Sequence, residues 1–254
     1  MSNTNGNVAV ITGATGGIGF EVAKRLGKDG YIVILNGIDD AAGADRLKEL
    51  TESGITAEYY GFDVTDEHAV TSNINKIGEK YGKIDVLVNN AGGLGGRSRF
   101  EEMTTEFYRF VMALNLDSAF FASRAAIPFL KKSDNASIIN YTSNAGWNAG
   151  GPGAGIYGTS KAGVHAITRA LAKDLAEYGI RVNAVSPGTI DTPFHAQIKA
   201  TKPEVFASWA NNIMLGRLGK PEDVAGVVSF LASKDAAFIT AETIQIGGGQ
   251  ALGI

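Results

Sequence analysis

The sequence predicts a doubly wound α/β fold, in which one parallel sheet of about seven strands carries helices on both faces. Short apolar runs rich in β-branched residues alternate with longer stretches of helical periodicity along nearly the whole chain. The runs are apolar at almost every position, which is typical of strands buried on both faces. This alternation indicates βαβ units joined by right-handed crossovers.

The first half of the chain contains four of the predicted strands, at residues 8–11, 32–35, 55–62 and 84–88. A glycine-rich turn, Thr12-Gly13-Ala14-Thr15-Gly16-Gly17-Ile18-Gly19, separates the first strand from a helix with apolar residues at Phe20, Ala23 and Leu26. A second helix is expected between residues 40 and 53. Asp66 is placed to cap a third.

The second half repeats this alternation of strands and helices. Thr104 begins a long predicted helix that runs to Leu130 and is interrupted only by Pro128. Further strands are expected at 137–141, 180–185 and 242–246, and further helices at 155–177 and 221–231. Residues 189–218 have mixed composition with helical patches and are expected to form a substrate lid. No Pro/Ser-rich linker or charge block divides the chain, so residues 1–254 are predicted to form a single domain.

Composition and charge exclude several classes of protein. The chain has 254 residues, a formal net charge of −3, no cysteine and three histidines. Disulfides, thiolate metal sites and a cysteine nucleophile are therefore excluded, and the widely spaced histidines predict no metal site. The charge gives no basic footprint for nucleic acid, and no apolar run approaches the ~18 residues of a membrane span. We expect a soluble cytoplasmic protein without nucleic-acid, membrane or metal partners.

The glycine-rich turn is the first candidate binding site. Gly13, Gly17 and Gly19 lie between a buried strand and a helix, where a dinucleotide-binding (Rossmann) fold needs a tight turn and close backbone approach. The helix N-terminus would then present free N–H groups to a pyrophosphate. A glycine string alone is a weak signal, but its position after the first strand favours a dinucleotide site.

The end of the second strand bears on the choice of dinucleotide. Asp39, with Asp40 beside it, stands at about the distance expected for a carboxylate that binds the ribose 2′-hydroxyl and repels a 2′-phosphate. These acids fit equally well as caps of the next helix. No Arg or Lys stands at Gly16, Gly37 or Ile38 to clamp a phosphate. The sequence therefore favours NAD(H), with NADP(H) not excluded.

Tyr157 and Lys161 form the second candidate site. Their spacing stacks a phenol and an ammonium on one helix face. A nearby cation stabilises the phenolate, which makes the phenol a better proton donor and acceptor near neutral pH. Tyr and Lys at this spacing also occur on many exposed helices, so the pair alone does not indicate a catalytic site. The other motifs of the chain decide between the two interpretations.

Taken together, the turn at 12–19, Asn89-Asn90-Ala91-Gly92, Asn115, Ser143, the Tyr157/Lys161 pair and Pro187-Gly188 make the chain resemble the short-chain dehydrogenase/reductase family. The resemblance runs from about Val8 to Gly249. It implies a hydride transfer between a nicotinamide cofactor and a carbonyl or alcohol, with the protein supplying a proton. It also implies a homotetramer built from the long helices near Thr104 and Gly155 and the C-terminal strand.

The resemblance assigns roles to individual residues. Tyr157 is the catalytic acid or base, Lys161 lowers the pKa of its phenol and holds the nicotinamide ribose, Ser143 hydrogen-bonds the substrate oxygen, and Asn115 anchors a proton relay. The implied cofactor contacts, besides Tyr157 and Lys161, are Thr12, Gly13, Thr15, Gly17, Ile18, Gly19, Asn36, Gly37, Asp39, Asp63, Val64, Asn89, Ala91, Gly92, Pro187, Gly188, Ile190 and Thr192. The chain departs from the family pattern at Gly37 and Gly247, where an Asp is often found.

Substrate specificity is expected to come from residues 93–100, 144–155 and 189–215. The candidate substrate contacts are Arg97, Arg99, Asn144, Trp147, Gly153 and His195. Such polar and basic groups suit a small polyhydroxylated or carboxylated substrate better than a steroid. The two arginines fit equally well as solvated surface charges.

Three functions remain open. The Gly-Gly-Pro-Gly-Ala run at 150–154 is similar to that of bacterial keto-uronate reductases of alginate breakdown, which implies reduction of a 4-deoxy-5-hexulosuronate. The framework resembles 3-oxoacyl carrier-protein reductases equally well, and that alternative implies NADPH and a basic docking surface. A non-enzymatic dinucleotide-sensing regulator would use the same fold, with loss of the Tyr or Lys as its signature.

Overall fold

A computed structural model of the chain describes residues 6–250, and the described strands form one parallel seven-stranded sheet. The strands are β1 Val8–Ile11, β2 Ile32–Gly37, β3 Ala57–Gly61, β4 Val86–Asn89, β5 Ser137–Tyr141, β6 Arg181–Pro187 and β7 Thr243–Ile246. Their order across the sheet is β3-β2-β1-β4-β5-β6-β7. The predicted doubly wound α/β fold is confirmed.

Helices cover both faces of this sheet. They are α1 Gly17–Lys28, α2 Asp40–Glu52, α3 Glu67–Tyr81, α4 Thr105–Met112, α5 Ser118–Leu130, α6 Ala145–Asn148, α7 Gly155–Leu175, α8 Ala196–Thr201, α9 Pro203–Ser208 and α10 Pro221–Ala232. One apolar core packs α1, α2 and α10 against the sheet. The other packs α3, α5 and α7 against the opposite face. The short helix α6 was not predicted.

Strand β1 pairs with both β2 and β4, so the chain reverses its direction of travel across the sheet at this strand. Ile11 aligns with Leu35 on one side and Val88 on the other. In open parallel sheets, a crevice opens at the carboxyl ends of the strands at such a reversal, and ligands bind there. The glycine-rich turn follows β1 directly and therefore lies at this crevice.

Two strands begin two residues later than their apolar patterns predict. β3 begins at Ala57 because the Ile55 N–H still donates to Leu50 O and closes the end of α2. β4 begins at Val86 because the Ile84 N–H donates to Phe129 O instead of to a neighbouring strand. Both isoleucines are nevertheless buried, which explains why the apolar runs in the sequence extend two residues beyond the strands.

The helix predicted over residues 104–130 is interrupted at a different place from the predicted one. Thr104 caps it, but Ala113–Asp117 is a π-helical segment between α4 and α5, whereas Pro128 lies inside α5. The amide of Asn115 in this segment donates to Val111 O at 2.9 Å. Widened turns of this kind occur frequently at functional sites.

The same helical stretch, Thr105–Leu130, is long and apolar enough to cross a membrane by length and composition alone. Part of its apolar surface packs in the protein, whereas Phe110 and Phe120 are exposed. Ala122, Ala126 and Leu130 belong to the core on the α3 face of the sheet. A core helix of a globular protein passes the same test, so the stretch is weak evidence for a membrane span.

Candidate active site

A cleft of about 880 Å³ opens at the carboxyl ends of the strands. The predicted site residues that line it are Gly13, Gly17, Ile18, Gly19, Gly92, Ser143, Asn144, Tyr157, Lys161, Pro187, Gly188, Ile190, Thr192 and His195. These residues come from the turn after β1, the loops after β4, β5 and β6, and helix α7. The fold therefore joins both candidate sites of the sequence in one cavity.

The turn after β1 fits a pyrophosphate. Gly13 has φ +63°, and a Cβ there would lie 2.9 Å from Ala91 Cα, so only glycine allows the two loops to meet. Gly16 precedes α1 and offers no side-chain cap, which leaves the first N–H groups of the helix without side-chain partners. Such a helix end attracts anions.

Tyr157 and Lys161 occupy consecutive turns of α7, and the Lys161 ammonium lies 5.8 Å from the centre of the Tyr157 ring. Lys161 Nζ donates to Tyr141 O at 2.9 Å, which fixes the lysine at the end of β5. Burial lowers the pKa of Lys161 to about 8. Burial raises the pKa of Tyr157, and a hydrogen bond with Ser143 acts in the opposite direction.

Ser143 lies two residues beyond β5, between the strand and α6. Its Oγ accepts the Ala145 N–H at 3.2 Å. Because this contact uses an acceptor site of the hydroxyl, the hydroxyl hydrogen is available for Tyr157 or for a substrate oxygen. Tyr157, Lys161 and Ser143 thus form a group that can deliver a proton and stabilise a developing oxygen charge.

Asn115 is buried, and its amide joins the π-helical segment to the loop after β4. Its Nδ2 donates to Gly93 O at 2.8 Å, and its Oδ1 accepts the Gly93 N–H at 2.9 Å. A Cβ at Gly92 would lie 2.7 Å from Asn115 Oδ1 and 2.9 Å from Lys161 Nζ. Asn115 and Lys161 therefore both lie next to Gly92, which supports a functional reason for the asparagine.

Several predicted cofactor contacts lie at the end of β2 and β3 and do not line the main cleft. Asn36 is buried, where its Oδ1 accepts the Gly13 N–H at 3.2 Å and its Nδ2 donates to Phe62 O at 2.8 Å. A Cβ at Gly37 would collide with Thr15, which explains the glycine. Asp63 caps the turn before α3, and Val64 is buried.

Asp39 caps α2, which was the alternative explanation of this acid. Its Oδ1 accepts the N–H groups of Ala41 and Ala42 at 3.0 and 3.1 Å. The cap leaves the carboxylate exposed at the strand end. Asp40 beside it accepts the Tyr59 hydroxyl at 3.2 Å, and burial together with Asp40 raises the pKa of Tyr59 to about 12.

Three residues predicted as cofactor contacts, Thr12, Asn89 and Ala91, do not line the cleft. Thr12 Oγ1 accepts the N–H groups of Asn90 and Ala91, so the threonine joins the loops after β1 and β4. Asn89 does not face the cleft, contrary to the prediction. Its Nδ2 donates to Ser123 Oγ and Asn140 Oδ1 in the core, because a strand residue on this register points to the α5 face.

The substrate end differs from the prediction. Arg97 donates to Pro152 O at 2.8 Å and, like Arg99, Trp147 and Gly153, does not line the cleft. The indole of Trp147 packs on His165 instead, with ring centres 4.3 Å apart. Asn90, which belongs to the predicted motif at 89–92, also lines the cleft. Further polar lining residues, which the sequence did not name as contacts, are Thr142, Asn148, Thr189, Asn212 and Gln250. They stand in loops without a motif, so only the fold could assemble them.

His195 does line the cleft, from the start of the lid. Its ring packs between Phe194, Phe206 and Trp209, with ring centres 4.9, 5.9 and 5.2 Å away. Burial lowers its pKa, which favours the neutral imidazole at neutral pH. Across residues 6–250, no group of three or more His, Cys, Asp or Glu side chains could hold a metal ion.

Comparison with known proteins identifies the family. A family model described as enoyl-(acyl carrier protein) reductase matches residues 13–251. The 3-oxoacyl-(acyl-carrier-protein) reductase FabG of Thermotoga maritima is 38% identical over 244 residues, which cover 96% of this chain and 97% of that protein. The chain belongs to the short-chain dehydrogenase/reductase family. Members of this family are oxidoreductases that use NAD(P)(H).

Two solved structures of the short-chain dehydrogenase/reductase family are also similar. One is the NADH-dependent reductase A1-R′, responsible for alginate metabolism, with a TM-score of 0.87, 36% identity and coverage of 98% of this chain and 99% of that one. The other is a putative NAD(P)-dependent gluconate 5-dehydrogenase from Beutenbergia cavernae with bound NADP, with a TM-score of 0.91, 32% identity and coverage of 97% of each chain. They support the family and the fold, and they differ in dinucleotide.

Proposed function

We propose that this short-chain dehydrogenase/reductase interconverts a carbonyl and an alcohol on a small polyhydroxylated substrate, a keto sugar acid being the best candidate, with NAD(H) as the preferred cofactor. The observation that carries the proposal is the group formed by Tyr157, Lys161 and Ser143 beside the glycine-rich turn in one cleft. Nicotinamide chemistry requires the protein to supply one proton and to stabilise charge on the substrate oxygen.

Each residue of this group has a role that follows from its contacts. The cofactor supplies or accepts the hydride. Tyr157 gives its phenolic proton to the carbonyl oxygen on reduction and takes it back on oxidation. Ser143 donates to the same oxygen and holds it near the phenol. Lys161, fixed on Tyr141 O, places a positive charge near the phenolate. Asn115 holds the loop at Gly93 in place through two hydrogen bonds.

The cofactor preference rests on charge at the end of β2. Asp39 is exposed there with no cationic partner in the described part of the chain, and Asp40 adds a second carboxylate. Gly37 leaves no side chain between the strand end and Thr15. A 2′-phosphate at this end of the site would meet negative charge, whereas a 2′-hydroxyl would not.

NADH is therefore expected to have the lower KM, and Asp39→Asn tests the reason. Asparagine caps a helix about as well as aspartate, so α2 stays capped while one negative charge is removed. The ratio of kcat/KM for NADPH over NADH should rise by about fivefold, since a charge pair near water is worth about 1 kcal/mol. Asp45→Asn, on the exposed side of α2, is the matched control. A lower KM for NADPH in the unmodified protein would contradict the preference.

The substrate class rests on the lining of the cleft. Carboxamide groups of Asn144, Asn148, Asn212 and Gln250 are part of it, and these groups both donate to and accept from hydroxyls. None of the described lining residues is an Asp or Glu, so a substrate carboxylate meets no like charge. The resemblance to A1-R′ and to the gluconate 5-dehydrogenase agrees with a sugar acid.

A panel of carbonyl compounds tests the substrate class. It contains 4-deoxy-5-hexulosuronate, 5-ketogluconate, diacetyl and an acetoacetyl thioester, each with NADH and NADPH. The highest kcat/KM is expected for one of the two sugar acids. Activity confined to the thioester would instead support the 3-oxoacyl carrier-protein reductase alternative, which the FabG relative keeps open. Absence of turnover with dinucleotide binding intact would support the regulator.

The homotetramer stays a prediction. Sedimentation velocity would measure the oligomeric state.

A further inference from the structure

Gln250 makes a set of hydrogen bonds at the substrate end of the cleft. Its Oε1 accepts the Thr189 N–H at 2.9 Å, and its Nε2 donates to Thr189 Oγ1 at 2.9 Å. The same Oε1 accepts from Asn144 Nδ2 at 3.4 Å. Thr189 is the first residue of the lid, and Asn144 follows Ser143 directly. One carboxamide thus joins the lid to the loop that carries the catalytic serine.

The glycine turn before Gln250 contacts the other end of the lid. The Leu215 N–H donates to Gly248 O at 3.1 Å. Gly248 and Gly249 have φ +58° and +85°, and a Cβ on Gly249 would lie 2.6 Å from Met214 Sδ. Any other residue at these positions would be strained and would displace this end of the lid. The C-terminal turn, residues 247–250, therefore holds both ends of the lid.

Glycines on both sides make room for the carboxamide. A Cβ at Gly188 would lie 2.6 Å from Gln250 Oε1 and 3.1 Å from Asn144 Nδ2. A Cβ at Gly247 would lie 3.5 Å from Asn144 Nδ2. An acidic side chain at position 247, the residue type that the family often has, would compete for the same amide. Gly247 leaves Asn144 Nδ2 to Gln250.

We propose that Gln250 is a positioning residue that fixes the base of the lid to the catalytic loop and so sets the geometry of the substrate end. The lid carries His195, and the catalytic loop carries Ser143 and Asn144. With the two joined through one side chain, a substrate held by the lid stays in register with Ser143. Loss of the connection lets the lid move independently of the proton donor.

Two replacements separate hydrogen bonding from space filling. Gln250→Glu keeps the acceptor for the Thr189 N–H and Asn144 Nδ2, while Gln250→Met has a similar length and no such acceptor. Trypsin cleavage after Lys199, in α8 of the lid, reports lid opening in the presence of saturating NADH. For Gln250→Met we expect cleavage about tenfold faster, in keeping with the loss of two or three hydrogen bonds, and for Gln250→Glu a rate close to the unmodified protein.

A kinetic readout accompanies the proteolysis. With 5-ketogluconate as the probe, KM should rise about tenfold in Gln250→Met with a smaller change in kcat, and the Kd of NADH, measured by fluorescence, should stay the same. The cleavage assay needs no substrate, so failure of the sugar-acid assignment leaves it valid. The proposal is overturned if Gln250→Met and Gln250→Glu have the same KM, or if the cleavage rate of Gln250→Met equals that of the unmodified protein.

A second variant covers the case in which Gln250→Met unfolds. Thr189→Ala removes the hydroxyl that accepts from Gln250 Nε2 and leaves the backbone N–H in place. On its own, Thr189→Ala should raise the cleavage rate severalfold, because one hydrogen bond to Gln250 is lost, and an unchanged rate overturns the proposal. Where Gln250→Met folds, the double variant should equal Gln250→Met alone, because the Thr189 hydroxyl then has no carboxamide partner left to lose. Additive effects in the double variant also overturn the proposal.

Discussion

Replacing Tyr157 by phenylalanine is expected to lower kcat by about 10³-fold, because the site then has no proton donor at the substrate oxygen. Phenylalanine fills the same volume, and Lys161 keeps its hydrogen bond to Tyr141 O. The Kd of NADH should therefore change little. Steady-state turnover measured beside NADH binding by fluorescence checks both halves of this expectation.

The matched control is Tyr178→Phe. Tyr178 is exposed and lies under the Lys131 ammonium at the far end of α7, where its hydroxyl has no part in the cleft. This variant should keep full activity. Retained turnover in Tyr157→Phe would contradict the assignment of the proton donor, and weakened NADH binding would indicate that the phenol serves the cofactor instead.

The sequence predicted the parts of the site that depend on backbone geometry. The glycine-rich turn needs positive φ and close approach at Gly13, and these requirements leave a direct trace in the residue type. The helical spacing of Tyr157 and Lys161 likewise determines that they share a face. The seven strands followed from apolar runs, because a strand buried on both faces has little choice of side chain.

Side-chain partners were harder to predict. The role of Asp39 was left open between binding the ribose and capping a helix, because a carboxylate before a helix can do both. The structure shows the capping hydrogen bonds. Asn89 stands next to Asn90 in one motif, yet of the two only Asn90 lines the cleft. Asn89 is the last residue of β4 and its register points it to the α5 face, whereas Asn90 already lies in the loop beyond the strand. The motif alone does not record that register.

Long-range assembly left no local signal at all. Arg97 is basic and near the site in sequence, but its guanidinium donates to Pro152 O and does not line the cleft. Gln250 carries no motif and stands 61 residues from Thr189, its main partner. Residues brought together across such distances are known only when the packing of the loops is known.

Replacing Lys161 by methionine is expected to lower kcat by about 10²-fold or more and to change how stability depends on pH. Burial lowers the pKa of Lys161 from 10.5 to about 8, so the folded protein at neutral pH contains a buried charge that the unfolded chain exposes to water. Between these two pKa values the unfolded chain binds more protons, and stability rises with pH there. Below pH 8 the buried charge lowers the free energy of unfolding by about 3 kcal/mol, and this loss disappears as the pH rises from 8 to 10.5.

Methionine has no charge, so the variant lacks this pH-dependent cost. The free energy of unfolding of the unmodified protein, minus that of Lys161→Met, should rise by up to about 3 kcal/mol between pH 7 and 10.5, measured by urea denaturation. The difference cancels titration of the tyrosines that both proteins share. The lost bond to Tyr141 O contributes a constant that does not vary with pH. Lys173→Met, on the exposed side of α7, should give a difference that is flat with pH. A flat difference for Lys161→Met as well would mean that the pKa of Lys161 is the same in the folded and unfolded protein, so that burial does not lower it. A rise of about 5 kcal/mol over the same pH range would mean that Lys161 has already lost its proton below pH 7, and would remove its proposed role beside the phenolate.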